Sequence, residues 1–263
     1  MSVYDCFSYW DEDLLLDVRF NILNKYVDYF VVVEGNKTWQ NNSKKLRFDI
    51  NNFQKFKSKI IYVPVDDMPD GDNPYIRENF QRNCISRGIK NANENDLIIV
   101  SDLDEIPNPL ALGKFEKKMK YAVFKQMHFY YKFNLQSTFH PNWFGSRVCI
   151  KKFLKSPQWL RNIKTKKRPF WKFYRPRPPQ LIYDGGWHFS FLKKPKEISQ
   201  KIKVFAHQEF KKNIFFDEKK IAERIKNQKD LFDRNIKYEK VEINEEFPKY
   251  ILENKLKFNE WII

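Results

Sequence analysis

Hydrophobic positions in the first hundred residues follow two alternating rhythms. Val3 to Tyr9, Val27 to Val33 and Ile60 to Val65 are short runs rich in β-branched and aromatic residues, the mark of strands. Between the first two, Leu14, Leu15, Val18, Ile22 and Leu23 recur at helical spacing behind Asp11-Glu12-Asp13, whose acids suit the positive end of a helix. A weak helix is expected from Phe48 to Phe56. Pro74 opens another, with Ile76, Phe80 and Cys84 as its inward stripe and Arg77, Glu78, Arg82 and Asn83 on its other sides. Leu97 to Val100 is apolar without alternation and reads as a strand buried on both faces. Strands and helices alternating in this way predict an α/β fold, a mixed and mostly parallel sheet flanked by helices.

Past Pro109 the pattern becomes more varied. A short helix is expected over 110–119 and an alternating, aromatic-rich strand over 121–133. Another strand over 148–153 is preceded by Trp143-Phe144-Gly145. The strand around 181–190 is interrupted by Gly185-Gly186, where the backbone must come close to something. Helices near 195–206, 217–233 and 245–258 have ordinary apolar stripes. The expected organisation is one α/β domain over residues 1–210 with a helical C-terminal extension, 211–263, packed on it.

The chemistry concentrates where the buried strand ends. Asp102, Asp104 and Glu105 fall within four residues, and carboxylates next to a core are costly unless a cation matches them. A period of two places Asp102 and Asp104 on one side of an extended chain, where they could share a hard divalent ion such as Mg²⁺ or Mn²⁺. Ligands in parallel sheets sit at the carboxyl ends of strands, where Glu34 also falls. The chain has only seven glycines and neither a Gly-x-Gly-x-x-Gly turn nor a P-loop, which argues against a dinucleotide enzyme or P-loop NTPase. A bound diphosphate would therefore depend on metal and on Arg or Lys.

Charge adds a second theme. The net charge is +16, divided into −5 over residues 1–110 and +21 over the remainder. Between Arg161 and Arg177 eight cations, including Lys164, Arg168, Lys172 and Arg175, interleave with Phe170, Trp171, Phe173 and Tyr174 and meet no acid. Such a stretch suits phosphates, sugar rings or an anionic membrane surface, and equally a solvated loop. A metal-dependent phosphohydrolase or nuclease, or a non-catalytic basic protein binding nucleic acid or membranes, fits the charge as well. Hydrophobic content of 42% is enough for a core. Cys6, Cys84 and Cys149 lack zinc spacing and read as reduced core thiols. No signal peptide or transmembrane run is evident, so a cytoplasmic protein, possibly peripheral to a membrane, is expected.

Four blocks occur in order: Val31-Val-Val-Glu34 with Lys37-Thr38; Arg77-Glu-Asn-Phe-Gln-Arg-Asn83; Ser101-Asp-Leu-Asp-Glu-Ile-Pro107; and Gly186-Trp-His-Phe-Ser190 with Ala206-His-Gln-Glu-Phe210. Together they resemble glycosyltransferase family 17 from Tyr4 to about Arg234. The resemblance implies a GT-A (Rossmann-like) fold and an inverting transfer from a UDP-sugar, UDP-GlcNAc above all, to a glycan acceptor, with no specific nucleic acid as partner. It implies metal binding by Asp102 and Asp104, with His188 as third ligand and His207 as runner-up. His128 and His140 are read as structural. Glu34, Arg77, Arg82 and Asp102 would face the nucleotide, and the general base would be Asp184, preferred for its place beside the Gly-Gly turn, or Glu209. Glu105 would orient the metal pair. Trp143 and Trp187 could stack on an acceptor sugar, although burial is the commoner fate of tryptophan.

Overall fold

A computed structural model describes residues 1–165, 178–204 and 213–263, without the side chains of residues 213 and 214. Its strands are β1 (Val3–Ser8), β2 (Tyr29–Gly35), β3 (Ile60–Val65), β4 (Leu97–Asp102), β5 (Glu105–Pro107), β6 (Tyr121–Tyr130), β7 (Leu135–Ser137), β8 (Asn142–Ile150), β9 (Gln180–Ile182), β10 (Gly186–Ser190) and β11 (Tyr238–Lys240). They form one sheet with the path β11-β7-β6-β8-β4-β1-β2-β3, and β5, β9 and β10 lie off that path. β3, β2, β1 and β4 run parallel. β8 is antiparallel to both β4 and β6, so β6 returns to the direction of β4. The result is the mixed, mostly parallel and Rossmann-like sheet that the alternating rhythm predicts.

The helices are α1 (Asp13–Leu23), α2 (Pro74–Asn83), α3 (Ile85–Gly88), α4 (Pro109–Leu112), α5 (Pro157–Arg161), α6 (Pro195–Val204), α7 (Asn213–Phe216), α8 (Glu218–Lys226) and α9 (Lys249–Glu253). β4 explains its own sequence: Ile98 and Val100 enter one apolar cluster, Leu97 and Ile99 another. With both faces covered there is no polar side to alternate with. The largest cluster joins Phe20 of α1 to Phe129, Phe189, Phe247, Ile251 and Phe258.

Several boundaries differ from expectation. The Phe48–Phe56 region forms a 3₁₀ segment, Ile50–Lys59, with a kink at Phe53. Trp143-Phe144-Gly145 lies inside β8 rather than before it. The helix expected over 217–233 ends at Lys226, and that over 245–258 shrinks to α9. The last fifty residues supply the edge strand β11 and core side chains as well as helices.

The largest departure is in α2. Phe80 and Cys84 do pack against the core, but Ile76 is 50% exposed, while Arg77, Gln81 and Arg82 are buried. This helix lies partly over backbone polar groups as well as apolar side chains. Arg77 donates to the carbonyls of Trp39 and Gly71, and the Gln81 amide donates to the Val33 carbonyl. Buried carbonyls need donors, and long polar side chains supply them.

Gly185-Gly186 makes the close approach expected of it. Gly186 has φ +123°, and a Cβ there would stand 2.2 Å from the Ile106 carbonyl oxygen. β10 pairs with both β5 and β6, so its entry turn lies against the 105–108 backbone.

Candidate active site

The chain runs from β1 outward to β2 and β3, then returns to place β4 on the other side of β1. That reversal is a topological switch point, where two loops diverge and leave a crevice at the strands' carboxyl ends. Ser8 of β1 is in register with Asp102 of β4, so the loops after β1 (9–12) and β4 (102–105) open side by side.

The 102–105 turn is held from below by Arg19 of α1. This guanidinium is fully buried and pairs with buried Asp5, Nε to Oδ2 at 2.7 Å and Nη2 to Oδ1 at 2.6 Å. Its remaining protons go to Ser101 Oγ (2.6 Å) and to the carbonyls of Asp102, Leu103 and Glu105 at 3.2, 3.1 and 2.9 Å. A planar fork with five donors can tie down a turn in this way, and an ammonium could not. Sequence reading missed Arg19, which sits at an unremarkable polar position in an amphipathic helix.

Above the clamp, Asp102 and Glu105 share Arg161, at the end of α5. Arg161 Nη1 and Nη2 bond both Glu105 oxygens, at 2.6 and 3.0 Å, and Nη2 also reaches Asp102 Oδ2 at 2.8 Å. Arg82 Nη2 approaches Asp102 Oδ1 at 3.1 Å. Burial opposes ionisation of Asp102, but Arg161 and Arg82 outweigh it and hold the carboxyl well below the usual carboxylate range. Its side chain remains 43% exposed, open to the crevice. Glu105 is buried and accepts from the Asp102 N–H at 3.1 Å and from Trp143 Nε1–H at 2.7 Å. Burial, then the nearby Arg161, push Arg147 down to about 10.

Asp104 points to a different set. His188 Nε2 lies 3.6 Å from its Oδ1, and Lys201 Nζ of α6 lies 3.8 Å from Oδ2. Lys201 also reaches Glu12 at 3.4 Å, and Lys193 bonds Asp11 at 2.5 Å. The acids expected to cap α1 are therefore turned partly to the crevice: neither Asp11 nor Glu12 caps that helix through its side chain. Burial raises the Asp104 carboxyl, but His188 and then Lys201 outweigh it and the net shift is downward. The His188 ring stacks on His128 at 4.7 Å and 6°, and Trp143 lies against both. His128 Nδ1 meets the His140 carbonyl at 3.2 Å. His188 Nδ1 and His128 Nε2 are buried with no hydrogen-bond partner among the described residues. Burial, then His188, push the His128 imidazole down to about 3.

Among the described residues no three of His, Cys, Asp and Glu gather as a ready metal cage. Asp104 and His188 nevertheless suit a shared ion. Two ligands about 2.1 Å from one metal stand at most about 4.2 Å apart, and these two are separated by 3.6 Å. A carboxylate with an imidazole is a donor set for Mn²⁺ in preference to Mg²⁺. Asp102 lies beside them with both oxygens on guanidinium groups.

Other expected residues lie elsewhere. Glu34 is fully buried at the end of β2. It accepts from Lys44 Nζ (2.5 Å), the N–H groups of Arg47 and Phe48, and Tyr62 O–H (3.0 Å), which makes it the anchor of the 44–48 loop. Arg77 ties the Trp39 and Gly71 backbones together. Asp184 is 82% exposed, pairs with Lys114 at 3.2 Å and lines a groove of about 960 Å³ whose walls include neither Asp102, Asp104 nor His188. His207, Glu209 and the basic stretch beyond residue 165 lie outside the described residues. Cys6, Cys84 and Cys149 are buried and unpaired. No described helix is long and apolar enough to cross a membrane.

Beta-1,4-mannosyl-glycoprotein 4-beta-N-acetylglucosaminyltransferase of Homo sapiens is 35% identical over 104 residues, covering 35% of this chain and 19% of the human protein. The Rattus norvegicus and Mus musculus proteins of the same name match over the same length at 35% and 34%. The aligned stretch thus spans about a fifth of these curated relatives. The family profile reaches much further than these pairwise matches, from residue 1 to residue 259, and the chain belongs to glycosyltransferase family 17.

Proposed function

We propose that this protein transfers a sugar, N-acetylglucosamine in the first instance, from a UDP-sugar to a hydroxyl of a glycan acceptor with inversion, on the GT-A variant of its Rossmann-like sheet. The observation that carries the reading is the pairing of Asp104 with His188 beside an arginine-bound Asp102 at the switch point of the sheet. A sugar diphosphate carries negative charge that grows on the leaving group as the glycosidic bond breaks. The crevice meets it with fixed cations: Arg82 and Arg161 on one side, Lys193 and Lys201 on the other.

Asp104 and His188, with Asp102 adjacent, are the residues that would hold Mn²⁺ or Mg²⁺, and the ion would supply Lewis-acid stabilisation of the departing diphosphate. The chain's own work is positioning. Arg19 and Glu105 fix the turn that presents both aspartates, and buried Glu34 holds the 44–48 loop at the end of β2, where the uridine would lie. Inversion needs a carboxylate within about 3 Å of the acceptor hydroxyl. Between the two candidates we favour Glu209, because Asp184 is drawn to Lys114 at the rim of another groove.

The test is a panel of nucleotide sugars, read by thermal shift and slow donor hydrolysis, with Mn²⁺, Mg²⁺ or chelator, on wild type and Asp104→Asn. The expected result is a metal-dependent shift with one UDP-sugar that disappears in the variant. No response to any nucleotide sugar would return the site to a phosphohydrolase or a non-catalytic role.

A further inference from the structure

Trp187 of β10 and Trp143 of β8 lie on two strands that both pair with β6, yet they meet opposite fates. Trp187 is 6% exposed and its indole N–H is bound to the Glu246 carbonyl, away from the crevice. Trp143 is 39% exposed, and its ring lies 4.9 Å from that of His188 and 5.3 Å from that of His128. Its single donor, Nε1–H, is held by Glu105 Oε1 at 2.7 Å. That carboxylate is itself gripped by Arg161, so the indole is held in one orientation with part of its apolar surface facing outward. A large aromatic ring left open beside a cluster of charges gains nothing from its exposure unless something covers it.

The same turn carries a second exposed ring. Phe139 is 68% exposed and stands edge-on to His140 at 4.5 Å, while the His140 carbonyl meets His128 Nδ1. Phe139 thus lies in the turn between β7 and β8 and Trp143 just inside β8, where its ring stands against His188 of the Asp104–His188 pair. By strand alternation Phe144 faces the other side, where its register partner is Lys125.

We propose that this turn is the acceptor subsite: Trp143 stacks under the sugar ring that receives the transferred residue, and Phe139 supports the next ring outward. The proposal rests on the glycosyl-transfer reading. The donor carries a diphosphate that charged groups can grip. A neutral acceptor saccharide has none, and its C–H faces are recognised by flat, preorganised aromatic surface. Trp143 offers that surface adjacent to the pair proposed to hold the ion, where the anomeric carbon of the donor would arrive.

The experiment measures donor and acceptor KM separately for wild type, Trp143→Ala, Trp143→Phe, Phe139→Ala and Phe144→Ala. Acceptor probes are a mannose-terminated N-glycan core oligosaccharide and N-acetylchitotetraose, offered with the donor that the nucleotide-sugar panel selects. The expected result is an acceptor KM about tenfold higher in Trp143→Ala and about threefold higher in Trp143→Phe, with donor KM within twofold of wild type. Phe139→Ala should weaken the oligosaccharides but not a monosaccharide acceptor, and Phe144→Ala should change neither constant. An unchanged acceptor KM in Trp143→Ala, a donor KM rising in parallel in both Trp143 variants, or a wild type that hydrolyses its donor but accepts no saccharide each overturns the subsite alone. A wild type blind to every nucleotide sugar overturns the transferase reading and the subsite with it.

Discussion

Removing Arg19 should be among the most damaging single changes in the chain. Arg19→Met keeps the length and apolar stem of the side chain but deletes a guanidinium that is fully buried. Asp5 would then be a buried carboxylate stripped of both bonds to its cation, the Asp102 and Leu103 carbonyls would lose their Arg19 donor, and the Glu105 carbonyl would keep only that of Ser146. Breaking a buried pair from one side costs about 3–5 kcal/mol. The carbonyls add less, because the turn can relax toward water. Against a total stability of about 5–15 kcal/mol, a loss of about 4 kcal/mol is severe. For a chain of this size it corresponds to a fall in Tm of about 8–16 °C.

The assay is urea unfolding at pH 7 followed by circular dichroism, with the m-value checked for constancy. A second arm uses Asp5→Leu/Arg19→Met, which removes both charges. Replacing a whole buried pair with apolar groups is often close to neutral, so the double variant should recover at least half of the lost stability. It should not recover sugar transfer, because the turn that presents Asp102 and Asp104 is still unclamped. The reasoning is refuted if Arg19→Met unfolds within 1 kcal/mol of wild type, or if the double variant is no more stable than the single one.

Two further outcomes are expected. Gly186→Ala combines a strained positive φ with a Cβ 2.2 Å from the Ile106 oxygen, so a loss of about 3 kcal/mol or insoluble expression should appear in the same unfolding assay. His128 is held near 3 in the folded protein against about 6.5 when unfolded, so between those values only the unfolded chain takes up this proton. Its contribution is complete above about pH 6.5 and is lost as pH falls toward 3, by up to about 1.4 kcal/mol per pH unit. Thermal melts of His128→Gln should therefore decline less than wild type between pH 6.5 and 4.5; equal slopes would show that the imidazole is not held neutral.

What the sequence made legible was what is local in the chain. The parallel strands and the burial of β4 on both faces are written within a few residues, whereas the shared side expected of Asp102 and Asp104 is not found, because β4 ends at Asp102 and Asp104, in the turn, faces His188 and Lys201 instead. Arg161 was visible as a charge but not as a partner, because its acids lie 56 and 59 residues away. Lys201 was hidden for the same reason: on α6 it looks like one solvated lysine among several, and only the fold brings it back to the loop after β1. β11 had no signal, since Tyr-Glu-Lys lacks the β-branched run of a strand and pairs only because the C-terminal chain passes β7.

The misreadings share a physical cause. Amphipathic reasoning assigns the apolar stripe of a helix to the inside, and in α2 that rule holds for Phe80 and Cys84 but fails for Ile76, because part of the floor is made of carbonyls and a carboxylate that Arg77, Gln81 and Arg82 cover. The same inversion buries Arg19 in α1 and turns Asp11 and Glu12 from helix-capping duty to the lysines of α6. Each exception borders the carboxyl ends of β1, β2 and β4. Buried charge is costly and persists where its partners over-determine it, so a run of polar residues on inward faces around one sheet edge is itself a pointer to the site. Glu34 shows the limit of that pointer. It is as buried as Asp5 and as fully bonded, with Lys44, Arg47, Phe48 and Tyr62 around its carboxylate, and it holds a loop in place. Asp102 differs in one respect: its carboxylate is paired and still open to the crevice. Buried polar partners locate the edge, and residual exposure separates the groups that support the site from those that can meet a substrate.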